Sequence, residues 1–417
     1  METMAEWQWK RWDVLQRLMK GKLTVEDAGQ VLRLSGRQVR RLRQRAAREG
    51  RQVVVHGNRG RRPVHTLAAE TRERILTLRR TTYRDFNDTH FAEKLGAEIP
   101  PLRVSVRTVR RILRAAGIGS MWRRRPRQHH RRRDRKAQMG HMLLWDGSRH
   151  AWLEDRGPVL TLVGAIDDAS STLLPGAHFV EQECAAAYLH VLQTVATECG
   201  LPLSIYMDQH GALKRNDDHW TLAEERRGRQ DPTQVGRALE ALGITAIYAL
   251  SPQAKGRVER LWGTLQDRLV SELRLAGATT AAAANAVLAR YCPAHNARFA
   301  IAPADTIAAW RPVRAGLELA RVCSFHYEAT VLKDNTVRLA GLVFDIPPGP
   351  RRRSYADQRV EVRQLLDGSW RIYCAEQVIA TAPATVHREL RALRRRKQSR
   401  GAPAAAPQHA AWAAATP

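Results

Sequence analysis

The spacing of apolar residues changes twice along the 417-residue chain. In residues 7–50 and 67–120 they recur every three or four positions, which is typical of amphipathic helices. Residues 139–312 combine short apolar runs with longer helical stretches, and residues 317–383 alternate apolar and polar positions in short runs. The pattern therefore predicts a multidomain α/β protein, in which all-α segments precede a core with a mixed β-sheet and a small C-terminal β-barrel.

Residues 7–50 predict a first helix-turn-helix unit. Thr24 is placed to cap one helix and Ser35 to cap the next, with Gln38 completing a capping box. An exposed basic helix pair in an all-α domain is the alternative interpretation. The side chains of the second helix that suit a DNA major groove are Arg37, Gln38, Arg40 and Arg41.

Residues 67–120 predict a second helix-turn-helix unit. The segment Ser105–Ile112 nearly repeats Ser35–Leu42, because both follow the pattern Ser-x-Arg-x-Val-Arg-Arg-aliphatic. Two such units would read a bipartite DNA site longer than one major-groove contact. The outward-facing residues of the second repeat are Arg107, Arg110 and Arg111.

Three further stretches are basic or rich in flexible residue types. Residues 51–66 predict an extended basic linker, which either enters a narrow minor groove or is merely flexible. Residues 121–138 predict a second basic linker that docks on phosphates or forms a solvated hinge. The tail, residues 384–417, is expected to be disordered. The arginines of the first linker that suit a minor groove are Arg59, Arg61 and Arg62.

The order of elements predicted for residues 139–312 is βββαβαβα. A turn signal between the first two strands predicts an antiparallel pair. The last helix is predicted from about Ala254 to Leu275, and residues 213–232 are predicted to be an inserted loop. The predicted strands are Met142–Trp145, Leu160–Ile166, Leu173–Val180, Leu203–Met207 and Ile244–Leu250.

Three acids occupy matching places in these elements. Asp146 is predicted to end the first strand and Asp208 the fourth, and Glu259 lies early on the last helix, at the edge of its apolar stripe beside Trp262 and Gln266. In an RNase H-like sheet the first and fourth strands are neighbours, so these acids converge. Carboxylates are the hard oxygen ligands that hold two Mg²⁺ ions, or Mn²⁺, for phosphodiester displacement.

Each acid also has a structural interpretation. Asp146 with the following glycine is itself a turn signal, Asp208 can simply end a strand, and Glu259 can pair with Lys255 one turn earlier. Asp167 and Asp168 are rival acids after the second strand, and we expect them to be structural capping groups.

The net charge of the chain indicates what kind of molecule it binds. Lys and Arg number 69 against 41 Asp and Glu, which gives a net charge of +28. Such an excess indicates a polyanionic partner, and nucleic acid is the simplest one. The scattered cysteines show no Cys-x-x-Cys pair, and no apolar run reaches membrane-spanning length, so we expect a cytoplasmic, nucleoid-associated protein without a membrane partner.

At these residues the chain resembles the DDE-type transposases of bacterial insertion sequences, in the group related to retroviral integrases, and most of all the ISNCY type. The resemblance spans about residues 20–385. The segments that carry it are Leu144–Ser148, Gly164–Ser170, Ser251–Leu265 and His295–Arg298.

The resemblance implies an RNase H-like core that cleaves transposon ends and transfers the freed 3′-hydroxyl to target DNA. It implies that Asp146, Asp208 and Glu259 are the catalytic, metal-binding triad, and that Lys255 and Arg257 lie close to DNA phosphates. The expected partners are double-stranded DNA and further copies of the chain in a dimer or larger assembly. A catalytically silent DNA-binding regulator derived from a transposase is the alternative, and a nuclease for RNA–DNA hybrids is a weaker one.

Overall fold

The structure is a computed structural model. The chain folds into two compact units, Met1–Arg74 and Ile75–Pro417. The residues that the structure describes are 6–55, 66–120, 133–215, 217–218, 220–249, 256–387 and 390.

The first unit is built from three helices around a small apolar core. Two capping boxes end the short connections between them: Thr24 pairs with Asp27, and Ser35 pairs with Gln38 as the sequence predicts. Gly29 allows close packing at the second connection, because a Cβ there would lie 2.9 Å from the carbonyl oxygen of Leu34. The helices are α1 (Glu6–Met19), α2 (Val25–Leu32) and α3 (Gly36–Glu49).

Three more helices follow, and the second and third of them pack together. Asn87 caps α5 and Ser105 caps α6, where the Ser105 Oγ accepts a hydrogen bond from the Thr108 amide at 3.2 Å. These two helices belong to the same compact unit as the sheet. The helices are α4 (Ala69–Arg80), α5 (Asp88–Ala97) and α6 (Val106–Ala115).

A five-stranded mixed sheet forms the centre of the second unit, with the strand order β3-β2-β1-β4-β5. β1 is antiparallel to β2 and parallel to β4, which confirms the predicted mixed sheet and the pairing of the first and fourth strands. The third strand is shorter than predicted, since Leu173 makes only an isolated bridge to Ile166. The strands are β1 (Met142–His150), β2 (Leu160–Asp167), β3 (His178–Val180), β4 (Ser204–Met207) and β5 (Thr245–Tyr248).

Helices cover both faces of this sheet. Along β1 the side chains alternate: Leu143 and Trp145 join the apolar cluster under α7 and α9, whereas Met142 and Leu144 join the cluster under α10 and α11. Successive residues of one strand therefore face different helices. The helices are α7 (Ala185–Glu198), α9 (Gln234–Ala241), α10 (Gly256–Leu275) and α11 (Ala281–Phe299).

The segment 213–232 is more ordered than the predicted loop, because it contains a short helix, α8 (Leu222–Arg227). Its centre is the fully buried Glu224 carboxylate, which accepts hydrogen bonds from the Asp231 amide at 2.8 Å and the Thr221 amide at 2.7 Å and pairs with Arg215. The two amide hydrogen bonds lower the pKa of Glu224 to about 2.

The C-terminal module consists of a four-stranded antiparallel sheet, in the order β11-β10-β9-β6, and a separate hairpin, β7–β8. No closed barrel is found among the described residues, since the hairpin strands pair only with each other, and the predicted small β-barrel is not confirmed. The turn between β9 and β10 lies at Asp367-Gly368, where Gly368 has a φ of +85°. The elements are α12 (Leu319–Val322), β6 (Phe325–Thr330), β7 (Thr336–Leu339), β8 (Leu342–Asp345), β9 (Arg359–Gln364), β10 (Trp370–Cys374) and β11 (Gln377–Ala382).

All five cysteines are free thiols. Among the described residues, no helix has the length and apolar character needed to cross a lipid bilayer.

We predict that Glu224→Gln lowers the free energy of unfolding at neutral pH by about 1–3 kcal/mol, because a buried acceptor and its charge are lost. A lowered carboxyl pKa stabilises the fold above the ordinary Glu value and loses this effect as the pH falls. The difference from wild type should therefore shrink between about pH 5 and pH 2. Urea denaturation at several pH values measures it. The exposed neighbour Glu225→Gln is the control, and equal effects of both substitutions would contradict the assignment.

Candidate active site

Asp146 lies within β1 and not at its end, which corrects the sequence-based expectation. The strand continues to His150 because its antiparallel pairing with β2 continues to the pair His150↔Leu160. The parallel pairing with β4 is shorter and stops at Leu144↔Tyr206. Asp146 therefore follows the point where β1 has lost one of its two neighbours.

Asp208 directly follows the last residue of β4. Two residues beyond the pair Leu144↔Tyr206, the same register places Asp208 level with Asp146. Side-chain alternation puts Asp146 on the face of the sheet that bears Leu144, and α10 covers that face. The register therefore places the two acids level with each other, just beyond the paired part of β1 and β4.

The same negative charges affect the pKa of Tyr188 on α7. Burial is the largest cause of its raised pKa, and the charges of Glu183, Asp208 and Asp146 raise the pKa further.

Helix α10 meets this edge through two hydrogen bonds. The Trp262 Nε1–H donates to Asp146 Oδ2 at 3.0 Å, and the Gln266 amide donates to Ser148 Oγ at 3.1 Å. Glu259 lies one turn before Trp262 on the same side of the helix, and its side chain is exposed. The predicted third acid is thus on the helix face that contacts Asp146.

The three carboxylates do not form a closed cluster. Among the described residues, no group of three His, Cys, Asp or Glu side chains is close enough to hold a metal ion. The register of β1 and β4 places Asp146 and Asp208 level with each other, and Glu259 lies on α10. Residues 250–255, which include Lys255, lie outside the described part of the chain.

Glu183, just before α7, is a further acid at this edge that the sequence interpretation missed. Its Oε1 accepts a hydrogen bond from the buried Tyr188 hydroxyl at 2.5 Å and lies 3.6 Å from His210 Nδ1. Its Oε2 occupies the space above Gly147, where a Cβ would approach it to 2.6 Å. The available signal was Gly147 itself, because a glycine inside a strand often marks the close approach of another group.

Asp167 and Asp168 have structural partners, as expected for capping groups. Asp167 accepts hydrogen bonds from the Ser170 amide and the Gly140 amide, both at 2.8 Å. The Asp168 carboxylate is fully buried and binds Arg133 at 2.6 Å and Arg257 at 2.5 Å. Burial would raise the pKa of Asp168, but the hydrogen bonds and charges of its partners outweigh burial and lower it.

The residues predicted to contact DNA differ in their exposure and in their partners. The four predicted on α3 are exposed, although Gln38 also accepts the Ser35 amide in the capping box. The three predicted on α6 are exposed too, and Arg110 lies 3.4 Å from Asp88. Arg257 is engaged by Asp168, and its side chain is only 13% exposed. Three of the arginines predicted to contact DNA lie outside the described residues: Arg59, Arg61 and Arg62.

We predict that Gly147→Ala destabilises the protein by about 1–3 kcal/mol, because the new methyl group overlaps the Glu183 carboxylate. Removing that carboxylate with Glu183→Ala should make the glycine substitution much less harmful, so the two effects should not add. Urea denaturation of the single and double variants measures the coupling. Gly263→Ala on α10 is the control, since no atom lies within 4 Å of a Cβ there, and additive effects would exclude the overlap.

Known proteins share extended sequence similarity with this chain, although no protein-family model matches it. The chain is 35% identical over 376 residues to the predicted transposase y4bF of Sinorhizobium fredii, covering 87% of this chain and 79% of the relative. It is also 35% identical over 326 residues to the transposase for insertion sequence IS1202 of Streptococcus pneumoniae, covering 70% of this chain and 68% of the relative.

Two solved structures show a weaker likeness. One is an intasome of simian T-cell lymphotropic virus in complex with the PP2A regulatory subunit B56 gamma, with 14% identity, a TM-score of 0.29, and coverage of 74% of this chain and 99% of that one. The other is the HTLV-2 integrase catalytic core domain in complex with magnesium, with 16% identity, a TM-score of 0.24, and coverage of 36% and 85%. TM-scores this low do not establish a common fold.

Proposed function

Because the chain belongs to the family of insertion-sequence transposases, we propose that it binds the inverted-repeat ends of its element and catalyses metal-dependent cleavage and strand transfer. The observation that supports this proposal is the parallel pairing of β1 with β4, whose register, continued by two residues, puts Asp146 of β1 level with Asp208 just after β4. Helix α10 adds Glu259 from the side that contacts Asp146.

The residues at this edge suit a hard divalent cation. Asp146, Asp208 and Glu259 would supply only carboxylate oxygens, which favour Mg²⁺ or Mn²⁺ over zinc. Bound there, two such ions would activate a water or a 3′-hydroxyl and stabilise the leaving oxygen. Exposed side chains change rotamer rapidly, so metal binding can draw the Glu259 carboxylate towards the two aspartates.

The neighbouring residues would hold this edge in shape. The Trp262 indole donates to Asp146 and fixes the orientation of one carboxylate oxygen. The Asp208 carboxylate accepts the His210 amide at 2.9 Å, which stabilises the turn after β4. These contacts orient the aspartates before metal or DNA arrives, and preorganisation of this kind lowers the cost of reaching the transition state.

DNA recognition is proposed to use two helix-turn-helix units. In each, a serine-capped helix, α3 or α6, exposes the arginines of the repeated sequence pattern. Two exposed basic helices fit a bipartite terminal repeat, and their charge fits the phosphate backbone. Paired ends would be held by a dimer or larger assembly of the chain.

We predict that Glu259→Ala lowers cleavage of labelled terminal-repeat duplexes in Mg²⁺ about 100-fold or more, because several kcal/mol of transition-state stabilisation are lost. Binding, measured by gel shift, should remain near the wild-type level. The exposed Glu240→Ala on α9 is the control. Cleavage by Glu259→Ala at the wild-type rate would reject the triad, and a wild-type chain that binds ends without cutting in Mg²⁺ or Mn²⁺ would indicate the silent regulator.

We also predict that Arg40→Ala and Arg110→Ala each weaken binding to the terminal repeat by about 1–3 kcal/mol, as expected for the loss of a base contact. Metal-dependent nicking of non-specific DNA should not change, because neither arginine belongs to the sheet edge that bears the acids. Titration at several salt concentrations measures the affinity and its salt slope. Parallel loss of binding and non-specific nicking would argue against this division of roles.

A further inference from the structure

Polar side chains join α5 to helices α10 and α11. Glu93 accepts two hydrogen bonds from the Arg268 guanidinium, at 2.9 and 3.0 Å, and lies 2.5 Å from Arg298 Nη2. A bidentate arginine–carboxylate pair has a strongly preferred geometry, so it fixes orientation as well as distance.

A second carboxylate, Glu272, lies on α10 one turn after Arg268 and contacts side chains of α5. Glu272 lies 2.7 Å from both His90 Nε2 and Lys94 Nζ, and Asn87 donates to Asp267 at the start of α5. His90 and Lys94 are four residues apart on α5, so they lie on one face of that helix. Arg268 and Glu272 have the same spacing on α10. We call this set the α5–α10 clamp, and its members are Asn87, His90, Glu93, Lys94, Asp267, Arg268, Glu272 and Arg298.

Three side chains of the clamp are largely buried. The side chains of His90 and Arg268 are 4% and 9% exposed, and that of Glu272 is 17% exposed. Removing one partner of such a pair leaves a charge in a poorly hydrated place, which is strongly unfavourable. The clamp is therefore harder to open than a surface ion pair.

Through α5, the clamp joins the predicted DNA-reading helix α6 to α10, the helix that bears Glu259. Helix α6, which packs on α5, exposes the arginines of the second repeat, and α10 bears Glu259 in its first turn. From Glu259 to Arg268 and Glu272 the helix advances roughly 14–20 Å, at about 1.5 Å per residue. An α-helix is stiff over this length, so the clamp sets the distance between the predicted reading helix and the proposed catalytic edge.

We propose that the α5–α10 clamp fixes which phosphodiester is cut relative to the sequence that α6 reads. This inference rests on the proposed function and assigns Glu93 and Glu272 as positioning residues. With the clamp opened, α5 loses these contacts to α10 and α11, and the bound sequence can shift against the catalytic edge.

The test is a charge swap at one contact, Lys94→Glu and Glu272→Lys, singly and together, on labelled duplexes carrying the terminal repeat. Each single variant places two like charges in the clamp. We expect it to bind ends as wild type does, but to cut them about 10- to 100-fold more slowly or at neighbouring phosphates, because small misplacements of reacting groups are costly. The double variant restores opposite charges at positions 94 and 272 and should recover part of the wild-type cut, because the contact of residue 272 with His90 is not restored.

Three controls make the outcome specific. Circular dichroism confirms that each variant is folded, and Glu240→Lys on α9 introduces the same charge change at an exposed site. Mg²⁺-dependent nicking of supercoiled DNA without a terminal repeat should be unchanged in the clamp variants, because their sheet edge is intact.

Two results separate the clamp from the proposed active site. Folded single variants that cut the wild-type phosphate at the wild-type rate, or a double variant that recovers nothing, would overturn the clamp proposal alone. Undiminished cutting by Glu259→Ala in the same assay would instead reject the proposed active site.

Discussion

The short parallel pairing between β1 and β4 is the interaction on which the candidate site depends. It joins two segments that lie far apart in sequence, and its register, continued by two residues, puts Asp146 level with Asp208. A shift of one residue would move one of the acids to the opposite face of the sheet, because strand side chains alternate. The pairing ends at Leu144, so both acids lie just beyond the paired part of β1 and β4.

Helix α10 packs on the same sheet and contacts other helices of the unit. Its apolar residues pack on the face that bears Leu144, and Trp262 contacts Asp146. Its more distant half carries the charged contacts to α5. One helix therefore contributes to the core, to the candidate site and to the joint with the predicted DNA-reading helix α6, which limits how far any of these can move independently.

Much of this arrangement could be predicted from local signals. Ser35 and Gln38 predicted a capping box because the interaction spans three residues, and the apolar runs predicted the mixed sheet because burial favours them. The errors concern interactions between distant segments. Asp146-Gly147 was interpreted as the end of a strand, but pairing with β2 extends β1 and Glu183 requires the glycine. The predicted small β-barrel is not confirmed, because alternation predicts strands and not their partners.

The sequence by itself determined the order of elements, the helix caps, the basic character and the choice of three candidate acids, since these follow from residue types and short-range spacing. Only the tertiary structure decided that Asp146 lies inside its strand, that Arg257 is held by Asp168, and that Glu93 and Glu272 bind α5 to the core. The physical reason is the same in each case. Strand partners and ion-pair partners are selected by packing between segments that are remote in the chain, and no local pattern encodes that choice.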